Sequence, residues 1–93
     1  LQIDGPTREV MSPEPMADKW RAFGWSVLEI DGHDYSQILA ALAKAKETKG
    51  KPTMIVAETV KGKGVSYMEN QCGWHGVAPN AEQVCTAIEE LDK

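Results

Sequence analysis

The sequence is short of the residues that build closed metal or redox centres. Its 93 residues include two cysteines, Cys72 and Cys85, and two histidines, His33 and His75. A structural zinc site wants four convergent Cys/His ligands and no C-x-x-C pair occurs, so no such site is expected. The thiols are expected to stay reduced in a cytoplasmic protein. Long apolar runs are also missing, and nothing approaches the ~18 residues a membrane helix needs. Positive charge is scarce: ten Lys/Arg stand against fourteen Asp/Glu, for a net charge of −4. General nucleic-acid affinity needs a basic surface and is excluded. Asp4, Arg8 and Glu9 interrupt the opening residues, so no signal peptide is expected. Nor does the sequence open on Met. Leu1-Gln2-Ile3 before Asp4-Gly5-Pro6 reads as a strand end entering a turn, and a fragment of something longer is expected.

What remains is 42% hydrophobic and 26% charged, ordinary for one small globular domain. Three prolines make residues 6–15 a loop. Ser12 as N-cap and Pro13 in the first turn predict a helix over 12–24, with Met16, Trp20 and Phe23 as its core stripe and Gly24 as its stop. Residues 25–30 are strand-like. Asp34 and Gln37 predict a capping box for a helix whose buried stripe is Ile38, Leu42 and Ala45, widened by Leu39 and Ala41. Lysines toward its end suit the helix dipole. Residues 53–57 form a near-continuous apolar run, which fits a strand of a parallel sheet. Residues 25–59 therefore read as a βαβ unit. Residues 60–80 hold four glycines and no period, a long loop of the kind that is functional in compact domains. Asn80 and Gln83 cap a last helix over 81–92, striped by Val84, Ile88 and Leu91. The fold class is α/β: a partial three-layer parallel sheet of two strands plus a stub at 1–5, with three helices. Few helices are available to cover such a sheet, so the chain is expected to be marginal or oligomeric alone.

Chemistry-bearing residues each admit two readings. Lys61-Gly62-Lys63-Gly64 follows a strand and could cradle a phosphate with glycine amides and lysine charge. The G-x-x-x-x-G-K-[ST] pattern is absent, and a solvated lysine-rich turn fits as well. His75, between Trp74 and Gly76, could be a general acid/base or a donor to phosphate, or a loop histidine satisfied by a carbonyl. His33 beside Asp31 and Asp34 reads as a turn residue before a capped helix. Glu29 and Glu58 could form an acid/base pair, against facing solvent or pairing with lysine. Cys72 lies three residues from His75, but nothing else supports a thiolate nucleophile.

Six ordered motifs then stand together: Leu1 to Thr7, Asp18 to Trp25, Glu29 to Asp34, Lys49 to Thr53, Thr59 to Ser66, and Gly73-Trp74-His75-Gly76. This set resembles the transketolase family, and within it the N-terminal subunit of split bacterial transketolases. The resemblance spans the chain but matches only the C-terminal third of that family's thiamine diphosphate-binding domain. The Gly-Asp-Gly motif that holds metal and diphosphate in the family is absent from this sequence. Also absent is the pyrimidine-binding domain with its activating glutamate.

The resemblance implies a role for some positions. Leu1 matches the residue whose carbonyl helps coordinate Mg²⁺ or Ca²⁺. Ile3 matches the apolar residue packed on the thiazolium ring. His75 matches the histidine that hydrogen-bonds the cofactor diphosphate and approaches substrate. Residues 60–80 match the active-site loop. The family moves two-carbon ketol units between sugar phosphates. Its implied partners are the remaining transketolase segments or a C-terminal subunit, in a homodimer-type assembly. This chain alone is expected to bind no cofactor and to be inactive. The alternatives are a non-catalytic assembly module, a phosphate-binding protein using the lysine–glycine loop, and a related thiamine-dependent ketol synthase.

Overall fold

The computed structural model describes residues 1–93. In chain order it contains α1 (Thr7–Val10), α2 (Met16–Ala22), β1 (Ser26–Asp31), α3 (Tyr35–Glu47), β2 (Thr53–Glu58), a 3₁₀ turn (Cys72–Trp74) and α4 (Ala81–Leu91). The chain divides into two compact units, Pro13–Thr59 and Leu1–Ser12 with Val60–Lys93.

The Pro13–Thr59 unit is a βαβ arrangement. β1 and β2 pair in parallel with Ser26 opposite Thr53 and Asp31 opposite Glu58. α2 packs on both strands and α3 on β1. α2 starts at Met16, three residues later than a Ser12 cap with Pro13 in the first turn suggests. Pro15 has extended backbone, and the helical geometry begins after it. Glu14 supplies the cap instead, accepting the Met16 N–H at 2.8 Å. The turn after β1 holds Asp34, which accepts from the Ser36 and Gln37 amides. Gln37 does not complete the expected capping box. Its carbonyl accepts from Asp31 N–H at 2.9 Å while its amide donates to Asp34 at 3.1 Å, tying the helix to the strand end.

The buried surface of this unit is thin. Ala17 and Ala41 are its buried apolar residues. Phe23, expected in a core stripe, is 82% exposed. With Met16, Lys19 and Trp20 it lines a shallow groove. On α3 the less exposed stripe runs through Ile38, Ala41 and Ala45 toward the Thr48 cap, while Leu39 and Leu42 are exposed. Alanine at 41 lets the helix approach the strand closely, which rotates the larger leucines outward. Trp20 and Trp25 meet edge to face with centroids 4.8 Å apart, an arrangement the ring quadrupoles favour.

The second unit opens differently from expectation. Residues 1–5 form a turn closed by reciprocal Gln2 and Gly5 backbone hydrogen bonds, rather than a strand stub. α1 falls where a plain loop was expected. α4 begins with the full Asn80/Gln83 capping box. Its expected apolar stripe, Val84, Ile88 and Leu91, is exposed. The less exposed positions are Gln83, Ala87 and Glu90, one residue back along the helix. Polar groups from residues 66–67 reach Glu90 and the Gln83 carbonyl, and these hydrogen bonds set which face turns inward.

Candidate functional site

Residues 60–80 have no helical or strand period, yet they are closely hydrogen-bonded. The Asn70 N–H donates to the Lys61 carbonyl at 2.9 Å and closes a ten-residue loop. Inside it, Val65 is buried and its carbonyl accepts from the Met68 and Glu69 amides. Gly62 has φ +72°, and a Cβ there would lie 2.6 Å from the Met68 carbonyl group. Only glycine satisfies both the left-handed backbone and that close approach. The Tyr67 hydroxyl donates to Gln83 O at 2.7 Å, and the Trp74 indole N–H donates to Tyr67 O at 2.8 Å. The two rings tilt against each other at 5.1 Å. Ser66 donates through both its N–H (2.7 Å) and its hydroxyl (2.6 Å) to the Glu90 carboxylate. These two donors hold the Glu90 carboxyl below the usual glutamate range.

This frame separates the two lysines of the Lys-Gly-Lys-Gly motif. Lys63 reaches Glu69 at 3.4 Å, and the Gly64 N–H donates to the same carboxylate at 3.2 Å. A carboxylate of the chain itself thus engages part of the anion cradle that the glycines suggested. Lys61 instead places its Nζ 3.3 Å from His75 Nδ1. The backbone of His75 is fixed by its N–H to the Cys72 carbonyl at 3.0 Å, and its side chain is exposed.

Leu1 and Ile3 belong to the same unit but to another segment, the turn at residues 1–5. Leu1 is half-buried and Ile3 is 60% exposed. An exposed β-branched residue offers a rigid apolar surface to a flat ring. Cationic Lys61 and the His75 imidazole offer donors to an anion. These features fit the diphosphate and ring of a thiamine cofactor in part. A divalent cation is not provided for. No group of three or more His, Cys, Asp or Glu side chains converges, and one carbonyl at Leu1 does not make an oxygen cage.

Glu29 pairs with Arg21 at 2.7 Å, so the expected lysine is replaced by an arginine held also by Asp18 at 2.8 Å. The His33 amide donates to Asp31 Oδ1 at 2.8 Å within the β1–α3 turn. Cys72 is half-buried at the start of the 3₁₀ turn, and Cys85 is exposed on α4. No sequence signal marks the Lys61–His75 pair, because an aperiodic stretch of chain separates the two. The Ser66–Glu90 contact spans still more chain.

Residues 1–92 match the family described as transketolase, thiamine diphosphate binding domain. The chain belongs to this family. It is 46% identical over all 93 residues to the 6-deoxy-6-sulfo-D-fructose transketolase subunit SqwG of Clostridium sp. (strain MSTE9), covering 34% of that protein. It is equally 46% identical over its whole length to an apulose-4-phosphate transketolase subunit of Phocaeicola vulgatus, covering 33% of it. The human transketolase-like protein 2 is 46% identical over 70 residues, 75% of this chain and 11% of that protein. The chain thus spans about a third of the length of the bacterial subunits it matches.

Proposed function

We propose that the chain is part of a transketolase, forming the C-terminal third of a thiamine diphosphate-binding domain. That enzyme would transfer two-carbon ketol units between sugar phosphates. The observation that carries this reading is the placement of Lys61 beside His75 at an exposed loop, in a chain that matches the family over residues 1–92. When bound, thiamine diphosphate supplies the nucleophilic carbon that takes up the ketol unit. The part of this chain is to bind and orient. His75 donates a hydrogen bond to the diphosphate and lies close to substrate oxygen, where developing negative charge is stabilised by a nearby donor. Ile3 packs on the thiazolium ring. The Leu1 carbonyl adds one ligand to Mg²⁺ or Ca²⁺, whose other ligands must come from elsewhere. Residues 60–80 form one wall of the active site.

The proposed partners are the remaining transketolase segments or a C-terminal subunit, in a homodimer-type cytoplasmic assembly. The outward Val84, Ile88 and Leu91 stripe on one unit, and Phe23, Leu39 and Leu42 on the other, support such partners. No helix is long and apolar enough to cross a membrane. The same exposed stripes favour a second reading, a non-catalytic assembly module. A related ketol synthase shares the chemistry of the first.

Calorimetric titration with thiamine diphosphate and Mg²⁺ separates these readings. The chain alone should give no heat. Assembled with the rest of a transketolase, it should bind saturably and turn over sugar phosphates, with His75→Ala weakening both. Stable assembly without cofactor binding would favour the module. Cofactor binding indifferent to His75→Ala would remove His75 from the site.

A further inference from the structure

The Lys61–His75 contact determines more than proximity. A lysine ammonium carries three donors and no acceptor, so in the 3.3 Å Nζ–Nδ1 contact the ring nitrogen must accept. A neutral imidazole holds one proton, which is thereby placed on Nε2. Both partners are anchored in the backbone, Lys61 through its carbonyl to Asn70 N–H and His75 through its N–H to the Cys72 carbonyl. The His75 side chain is exposed, and nothing beyond the adjoining residues lies within 4 Å of where a Gly76 Cβ would stand. Lys63, two residues from Lys61, is engaged with Glu69. The two lysines therefore have separate tasks.

We infer that Lys61 is a positioning residue that holds His75 as the Nε2–H tautomer, so that the ring presents a hydrogen-bond donor at its outer nitrogen. The inference deepens the reading of His75 as a donor to an anionic oxygen and rests on it for its function. A histidine free to exchange tautomers would present a lone pair to that oxygen part of the time, and the interaction would then be repulsive.

The test is ¹⁵N long-range correlation spectroscopy on the full chain labelled at histidine, at about pH 8.5, well above the ordinary histidine value. The unsubstituted chain should show His75 as one tautomer, protonated at Nε2. Lys61→Met should release it to a mixture of both forms. Lys61→Arg, whose guanidinium is also donor-only, should restore the single form, and Lys63→Met should leave it unchanged. A mixture or an Nδ1–H form in the unsubstituted chain overturns the inference, as does a single Nε2–H form that survives Lys61→Met. No cofactor is present in these spectra. They therefore decide the positioning role whether or not His75 meets thiamine diphosphate, and the calorimetry decides that second question separately.

Discussion

The two units reach order by opposite means. Residues 13–59 rely on repeating backbone geometry: two parallel strands, two helices and caps at their ends. Residues 60–80 have almost no repeating geometry and are fixed by single contacts. These are Tyr67 to Gln83, Trp74 to Tyr67, Ser66 to Glu90, and Asn70 to Lys61. A periodic element spreads its stability over many similar bonds, so losing one is tolerated. A loop built on individual contacts concentrates it, and each contact becomes a separate point of failure. The catalytic candidate His75 sits in the second kind of structure, where position can be specified atom by atom.

Substitutions can break this contrast where it is strongest. Gly62→Ala should be the most damaging. It forces a left-handed residue against the Met68 backbone, which cannot give way. A cost of about 2–4 kcal/mol is expected, with lost amide-exchange protection over residues 61–70. Gly32→Ala makes the matching test in the βαβ unit. Its Cβ would meet the Thr59 methyl at 2.6 Å and the Glu58 carbonyl at 3.0 Å, without left-handed strain. Because a threonine methyl can move, about 1–2 kcal/mol is expected in urea unfolding followed by circular dichroism. A larger cost at Gly32 than at Gly62 would reverse the comparison.

Tyr67→Phe removes one hydrogen bond from the loop to α4 and should cost about 1 kcal/mol in the same experiment. Acid should have the mildest effect and touch both units. The Glu90 carboxyl is held low chiefly by the Ser66 hydroxyl, and Asp34 chiefly by the Gln37 amide. A depressed folded pKa gives stability that is present above the unfolded carboxylate value and lost as pH falls through the folded one. Both contacts should therefore persist at neutral pH and release only below the usual carboxylate range. The Ser66 and Gln37 amide resonances should shift there. In Glu90→Gln the Ser66 shift should disappear while that at Gln37 remains.

The βαβ unit was legible because its signals are local. Strand-like runs at 25–30 and 53–57 coincide with β1 and β2 within a residue or so. Asn80 and Gln83 named their own capping box. What sequence could not show was which helix face turns inward. On α3, an alanine outcompetes the leucines because close approach to the strand favours the small residue. On α4, polar contacts at Glu90 and Gln83 outcompete an apolar stripe. Both outcomes depend on a neighbour that periodicity does not see. The site was legible as a set of candidates, with His75 marked by its place between Trp74 and Gly76 in an aperiodic loop, and Ile3 and Leu1 entering through family resemblance. The division of labour between Lys61 and Lys63 was not, since it depends on the fold of an aperiodic loop.

The tilted pairing of Trp74 with Tyr67 has a practical consequence. The other two tryptophans, Trp20 and Trp25, both lie in the βαβ unit. A chain carrying Trp20→Phe and Trp25→Phe would emit from a single indole. Its fluorescence colour and anisotropy would report on the segment that carries His75. The loop could then be watched optically while cofactor, sugar phosphate or a partner protein is added, with no label attached.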